Sequence, residues 1–360
     1  MRYCKAEELI QLTEGILRRL GVPELDAKVT ADSLVQANLE GTDSHGISRL
    51  PIYARRLMDQ RINKNPDIKI ERSGSVIKVD GDNGLGQVVS YRSVQAAIPV
   101  AKETGIAGIA VHHSNHNGTA AYYCQHACRE EMILIAMTNS PSGMIPHGGR
   151  QAYLGTNPIG FGFPVRSGPP VIVDMSSSVA ARGKIILAAK EGREIPSGWA
   201  VDADGAVTTD PVAALQGGVL PFGGAKGFAL ATAIEILAGV LSGAGFGPHV
   251  QSIYHDRHGA ADVGHFFILL NIAHWMPIEA YYDRLDQFIK ELKAIPLAKH
   301  AEEICYPGER RFRRWQDRRK NGIPLSGDVC MELQKLAKIC RVPFSLADEQ
   351  GGDTRQGETH

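Results

Sequence analysis

Apolar positions recur with a helical period through the first sixty residues. Leu9, Ile10, Leu12, Ile16, Leu17 and Leu20 form one stripe over residues 5–20, closed by Gly21 and Pro23. Val29, Leu34, Val35 and Leu39 form a second stripe from about Leu25 to Glu40, and residues 47–60 predict a third helix. After an Asn-Pro-Asp turn at 65–67, short β-like runs at Ile68–Ile70 and Ser75–Asp80 lead into a glycine-rich turn and a helix over 91–104. From residue 106 the grammar changes. Ile106–Val111, Met132–Thr138, Ile159–Pro164 and Val171–Met175 are β-branched or apolar runs separated by Gly, Asn and Pro. Asp204-Gly205 marks a hairpin turn within 195–210. Helical patterns return at 225–243, 278–293 and Gly327–Cys340, with a strand at Phe266–Asn271 between them. The polar stretch 346–360 reads as a flexible tail. The expected class is α+β: helices over 1–72, completed by about 285–345, and a sheet-bearing region over 73–284.

The chain has 360 residues, enough for two or three domains, with 43% hydrophobic and 22% charged residues. Lys plus Arg and Asp plus Glu each number 39, so no global field attracts nucleic acid or an anionic membrane. The most apolar stretch, Phe228 to Gly243, contains Glu235 and falls short of a membrane span, so it reads as a buried core helix. The first thirty residues lack the apolar region of a secretion signal. The six cysteines are scattered without a CxxC pair, as expected of reduced thiols in the cytoplasm.

A GxGxxG turn between strand and helix is missing. Gly243-Ala-Gly245-Phe-Gly247 follows a helix, and Gly84-Leu-Gly86 is not continued, so a Rossmann domain is not supported. Other glycine loops lie beside polar residues, at 147–149, 155–160 and 223–227. The last opens a helix with Lys226 in its first turn. It reads either as an anion site suited to phosphate or as a plain turn starting a core helix.

Two segments carry candidate chemistry. In 43–53, Ser48 suits an N-cap and Pro51 the first helical turn, which leaves Ser44 and His45 in a loop and Arg49 one turn from Tyr53. A guanidinium there matches a small carboxylate bidentately; otherwise Asp43 and Ser44 only cap and Arg49 is solvated. In 112–118, a histidine-dense loop after the strand 106–111 offers a general acid–base, or merely histidines with satisfied hydrogen bonds. His112 and His116, with Cys124, His126 and Cys128 nearby, raise a metal-dependent hydrolase, but Asn115, Asn117 and Gly118 argue against a helix presenting the first pair. There is no HExxH, so no metal is expected. The basic run 309–320 holds seven basic and two acidic residues; an amphipathic helix with a solvated basic face is expected there rather than a nucleic-acid patch.

Together these stretches resemble the type-2 malate/L-lactate dehydrogenase family. The resemblance rests on Asp43-Ser-His-Gly-Ile-Ser-Arg-Leu50, Asp80-Gly-Asp-Asn-Gly-Leu-Gly-Gln87, Ser114-Asn-His-Asn-Gly118 and Gly155-Thr-Asn-Pro158. It continues through Asp174-Met-Ser-Ser-Ser178, Ala181-Arg-Gly-Lys184, Gly224-Ala-Lys-Gly227, Pro307-Gly-Glu309 and Asn321-Gly-Ile-Pro324. It implies a non-Rossmann nucleotide-binding domain on a mostly antiparallel sheet, a homodimer, and hydride transfer between NAD(P) and C2 of a 2-hydroxy or 2-oxo acid. NAD is expected ahead of NADP. His116 matches the proton acceptor, with His45 and Arg49 beside it and Ser44 and Tyr53 on the substrate side. Ser140, Asp174, Met175, Ser176, Lys184, Ala225, Lys226, His258, Pro307, Gly308 and Glu309 match cofactor-side positions. Asn117 departs from the aromatic residue that many members carry after the histidine. The nearest alternative is reduction of a cyclic imine carboxylate, which needs the same carboxylate clamp.

Overall fold

The first helices form where their apolar stripes predict them. The chain opens with a short strand, β1 (Arg2–Cys4), followed by α1 (Ala6–Arg19), α2 (Glu24–Leu39) and α3 (Leu50–Met58). Glu7 and Glu8 begin α1 while Arg18 and Arg19 end it, an arrangement that opposes the helix dipole favourably. This computed structural model describes residues 1–253 and 259–344. A hairpin of β2 (Lys69–Ser73) and β3 (Val76–Asp80) precedes α4 (Gly86–Thr104), β4 (Ile106–Ser114), α5 (Ala120–Arg129) and β5 (Met132–Thr138). Next come β6 (Ile159–Phe163), β7 (Val171–Met175) and α6 (Arg182–Glu191), then the small strands β8 (Ala200–Val201), β9 (Val207–Thr208) and β10 (Gly218–Val219) around α7 (Pro211–Gln216). The remainder is α8 (Ala225–Glu235), β11 (Val263–Asn271), α9 (Ile278–Lys293), α10 (Glu309–Asn321), β12 (Ile323–Leu325) and α11 (Gly327–Cys340).

Among the described residues the main sheet has seven strands in the order β2-β3-β4-β11-β5-β6-β7. β3 and β4 pair in parallel and the other neighbours pair antiparallel, so the class is α+β with a mixed sheet. β11 lies at the centre, with Phe267 opposite Ile109 of β4 and Ala136 of β5. Two apolar clusters organise the chain. Leu9, Ile16, Leu34, Ile47, Leu50 and Tyr53 pack with Ile323, Leu333 and Leu336, so the last helices close over the first. Val79, Val94, Ile109, Val111, Tyr123 and Phe267 form the second cluster on one face of the sheet. Each such aliphatic or aromatic residue contributes about 1.5–3 kcal/mol on burial. Tyr53 belongs to the first cluster and His116 follows the β4 strand of the second, so the candidate site falls on their seam.

The structure corrects several expectations. Ser48 does not cap α3: its hydroxyl donates to Asp43 O at 2.9 Å inside two short 3-10 turns, and Arg49 occupies the N-cap position. β4 runs on to Ser114, so His112 and His113 are strand residues rather than loop residues. α4 begins at Gly86, helix α5 stands where only a loop was expected, and α6 occupies a stretch for which no element was predicted. Phe228–Gly243 is not buried throughout. Ala231, Ile234 and Glu235 face inward, but Ile236, Val240 and Leu241 are exposed. α10 is not simply solvated either, because Arg311 and Arg318 turn inward to carboxylates. The stretch 346–360 lies outside the described residues. No helix among the described residues is long and apolar enough to cross a membrane.

Gly86 sets the seam's spacing. A Cβ there would lie 2.1 Å from Asn115 O and 2.5 Å from His116 O, both backbone atoms that cannot swing aside. Gly86→Ala is therefore expected to destabilise the fold by about 1–3 kcal/mol, measured by urea unfolding; unchanged stability contradicts this packing.

Candidate active site

The 43–49 turn is held from below by one buried amide. Asn38, at the end of α2, donates from Nδ2 to Asp43 Oδ1 at 2.6 Å and accepts from Ile47 N–H at 2.7 Å. A side chain at Gly46 would collide with that amide, its Cβ 2.1 Å from Asn38 Oδ1. From α10, Arg318 grips Asp43 bidentately at 2.6 and 3.0 Å. The turn thus presents Ser44, His45 and Arg49 from a fixed backbone. Ser44 Oγ is 3.0 Å from His45 Nδ1, and Arg49 Nε donates to Ser44 O at 2.5 Å, which fixes the guanidinium plane.

The opposite wall is the 115–119 loop. Asn115 donates from Nδ2 to Asn83 O, Asn83 Oδ1 and Gly84 O at 3.1, 3.0 and 2.8 Å, tying this loop to the one before α4. Behind it, buried His265 spans Ser114 Oγ at 2.8 Å and Thr138 Oγ1 at 2.7 Å, locking the end of β4 to β5. Asn117 turns away from the cleft and donates to Ser90 Oγ of α4 at 3.1 Å, while Tyr123 O–H donates to its carbonyl at 2.5 Å. The residue that replaces an aromatic ring is therefore structural in this chain.

His116 is left facing the 43–49 turn. Its ring stacks on His45 at 5.3 Å between centroids, inclined by 29°. Its Nδ1 lies 2.5 Å from Tyr53 Oη, which also accepts from Gln87 Nε2 at 3.0 Å. Burial lowers His45 to about 4, aided by the charges of Arg49 and Arg311. Burial also holds His116 well below the usual histidine range, with further depression from His45, Arg49 and His265. His265, lowered to about 3 by burial, is a neutral strut. Both cleft imidazoles are therefore neutral near pH 7, with a permanent cation acting on each. This constellation is suited to hold an anion and to accept or return a proton.

A second group of expected positions surrounds the start of α8. Ser140 N–H donates to Asn157 Oδ1 at 3.2 Å, and Asn157 donates onward to Glu235 and to Ala231 O of α8. Ser176 lies in the 175–178 turn, which meets the 221–227 loop through the Ser178–Pro221 bridge and Phe222 N–H to Ser177 O at 3.1 Å. α8 begins without a side-chain cap, at Gly224 with φ 61°. A Cβ at Gly227 would lie 2.3 Å from Phe222 O, so this tight turn depends on glycine. Met175, Ala225 and Lys226 are exposed on this rim. First-turn amides with an ammonium beside them form a donor set for phosphate oxygens.

The other expected positions are placed differently. Asp174 accepts from Ala121 N–H at 3.1 Å and pairs with Arg311 at 3.5 Å, and burial raises its carboxyl despite that cation. Arg311 also binds Glu40 at 2.7 Å, and its charge is one of those that lower His45. Lys184 lies over the Trp199 ring at 5.8 Å. Pro307 and Gly308 dock on Pro170–Ile172, with Ile172 N–H donating to Pro307 O at 2.9 Å. Glu309 accepts from Tyr306 N–H at 3.0 Å and pairs with Lys293, so its carboxylate serves the chain itself. His258 lies outside the described residues. Among the described residues His112 and His116 do not converge with Cys124, His126 and Cys128 as a metal set: His126 packs edge-on to Tyr91 and Tyr122, and burial raises the Cys124 and Cys128 thiols. Sequence reasoning did not single out Asn38, Gln87, Asn115, His265, Arg311 or Arg318. Gln87 and Asn115 stood inside quoted motifs, and the two arginines were hidden in a run read as solvated.

Comparison with known proteins identifies the family. The malate/L-lactate dehydrogenase family matches residues 4–334. Malate dehydrogenase of Pyrococcus horikoshii is 39% identical over 341 residues, covering 92% of this chain and 94% of that protein. The (2R)-3-sulfolactate dehydrogenase (NADP(+)) of Chromohalobacter salexigens is 37% identical, with 93% and 98% covered. The ureidoglycolate dehydrogenase (NAD(+)) of Escherichia coli O157:H7 is 34% identical, with 91% and 93% covered. Among solved structures, sulfolactate dehydrogenase from Methanocaldococcus jannaschii superposes with a TM-score of 0.89 at 38% identity, covering 94% of this chain and 98% of that one. The delta1-piperideine-2-carboxylate reductase from Pseudomonas syringae pathovar tomato gives 0.84 at 29% identity, with 94% and 100% covered. The chain thus belongs to the malate/L-lactate dehydrogenase family and is an NAD(P)-dependent oxidoreductase of 2-hydroxy and 2-oxo acids.

Proposed function

We propose that Arg49 binds the carboxylate of a small 2-hydroxy acid and that His116 exchanges the proton of its C2 hydroxyl. The stacking of His116 on His45 beside the Arg49 guanidinium carries this reading. The donor set around α8 fits the diphosphate of a dinucleotide, with Ser140, Met175, Ser176, Ala225 and Lys226 along its rim. A bound nicotinamide supplies the hydride acceptor or donor. Ser44 and His45 hold the reacting oxygen. Tyr53 positions His116: its oxygen accepts from Gln87 and meets Nδ1, so the opposite ring nitrogen is directed at substrate. An arriving carboxylate offsets the Arg49 charge that depresses His116, so substrate binding itself raises the basicity of the acceptor.

NAD stays ahead of NADP in this reading. A 2′-phosphate would need a cation beside it. Of the cations that would favour one, Arg182 donates to Ser142 O at 3.1 Å and Lys184 covers Trp199. The chain is proposed to work as a homodimer, since Ile236, Val240 and Leu241 present an exposed apolar stripe to a second copy. It is further proposed to act in the cytoplasm on small carboxylates, without nucleic-acid or membrane partners. A division near residues 72 and 285 is also proposed; the two apolar clusters support it, with Leu85 and Val88 at the start of α4 crossing into the first. Cyclic imine carboxylates are the second reading, because the same clamp serves them and a structural neighbour is named for that reaction. A panel of 2-oxo acids and cyclic imines with NADH and NADPH separates the two.

His116→Ala is expected to lower kcat by about two to four orders of magnitude while dinucleotide affinity, read by fluorescence titration, is kept. Near-normal turnover rejects the assignment. Arg49→Lys should raise KM for the acid about tenfold, the worth of roughly one charge-assisted hydrogen bond; an unchanged KM removes Arg49 from the clamp. For hydroxy-acid oxidation the neutral form of His116 is required, and its value is lowered. Activity is therefore retained as pH falls through 6.5, and the acid limb of kcat/KM lies below that point. The limb of kcat lies higher, because bound carboxylate offsets Arg49. Coincident limbs contradict that coupling.

A further inference from the structure

Outside the cleft, three ligand-type side chains meet at the ends of β3 and β4. Asp80 lies directly across the parallel ladder from His112. Its Oδ2 is 3.8 Å from His112 Nε2, and its Oδ1 is 3.0 Å from His113 Nδ1. One ligand atom from each of the three residues lies within 4.8 Å of the others. Adjacent strand residues normally point to opposite faces. Here both imidazoles reach the same carboxylate, with ring centroids 4.4 Å apart, because His113 adopts φ 49° at the strand end. A non-glycine residue held in that region marks a conformation the surroundings enforce. Asp80 and His112 are half-buried and His113 is exposed, so an ion has access from solvent.

We propose that Asp80, His112 and His113 form a binding site for a zinc-class divalent cation, separate from the hydride-transfer cleft. Two imidazole nitrogens and one carboxylate oxygen suit zinc, cobalt or nickel; magnesium and calcium require mainly oxygen. Tetrahedral ligands at zinc stand about 3.3 Å apart, so the present spacing needs only side-chain adjustment. Each imidazole coordinates through a deprotonated nitrogen, and any proton on that atom leaves to solvent. The ion replaces the Asp80–His113 hydrogen bond, while water completes its shell.

The position gives the site a consequence. Gly81 N–H donates to His112 O at 3.0 Å and Asn83 N–H to His113 O at 2.8 Å, so the two strand ends are already clamped through their backbones. The same two segments continue to Gly86 and His116, which touch. An ion at Asp80 therefore staples the loops that set the cleft's wall, and by linkage it stabilises the folded chain.

The test uses the full chain without a polyhistidine tag, stripped with EDTA and titrated calorimetrically with zinc, with cobalt absorbance reporting the ligand field. The expected result is one zinc per chain and a raised Tm. His113→Asn keeps a residue tolerant of positive φ, so the fold survives, yet zinc affinity should fall by at least about tenfold and the Tm gain should vanish. Asp80→Asn, which retains an acceptor for Asp82 N–H (2.9 Å), should behave alike and serves if the first variant fails to fold. His126→Gln should bind zinc as the parent does. Absence of zinc uptake by the parent chain, equal binding by His113→Asn and Asp80→Asn, or loss of binding in His126→Gln overturns the site.

Discussion

A guanidinium beside two neutral imidazoles in one cleft is the constraint on which the rest of the account depends. A unit charge about 4 Å away is worth about 4 kcal/mol at an effective dielectric near 20, so a neighbour at roughly twice that distance still moves a titration by more than a pKa unit. Burial is the larger cause of the lowered values of His45 and His116, and the Arg49 charge acts on both in the same direction. The resting cleft is thus an anion receptor with a proton acceptor already in its neutral form. A carboxylate entering it changes the field at His116, so recognition and acid–base chemistry are coupled through charge.

That coupling requires the cation and the rings to stay in register, and the neighbouring polar network supplies this. Asn38 and Arg318 grip the turn that carries His45 and Arg49, from α2 and α10 respectively. Asn115 and His265 fix the loop that carries His116 between the sheet and the start of α4. Asn38, Asn115 and His265 are buried, so their lost bonds would cost more than an exposed pair contributes, while Arg318 is partly buried. Helical and sheet clusters therefore meet through hydrogen bonds and close glycine packing at the site, with their apolar cores on either side.

Much of this was legible in the sequence. The stripes over 5–20 and 25–40 gave α1 and α2 to within a residue or so, and Met132–Thr138 is β5 as read. Ser44, His45, Arg49, Tyr53 and His116 were named from loop chemistry and family motifs, and the fold brings them together. α5 was missed because the Gly- and Asn-rich stretch between the 106–111 and 132–138 runs was read as loop throughout, whereas Ala120–Arg129 buries Tyr122, Tyr123 and Cys124 as a helix. Ser48 was misread because a local capping pattern competes with a 3-10 turn that distant partners, Asn38 and Arg318, hold in place. The inward arginines of α10 were beyond reach, since charge composition does not reveal which helix face meets Glu40 and Asp43.

The most direct measurement is an NMR titration of the His116 imidazole in the parent chain and in Arg49→Gln, each with and without an unreactive 2-oxo acid analogue. The account predicts that the parent ring titrates well below 6.5, that it rises when the analogue binds, and that Arg49→Gln raises it without ligand. A His116 ring that titrates near 6.5 in the parent and ignores both the analogue and the loss of the guanidinium contradicts the account.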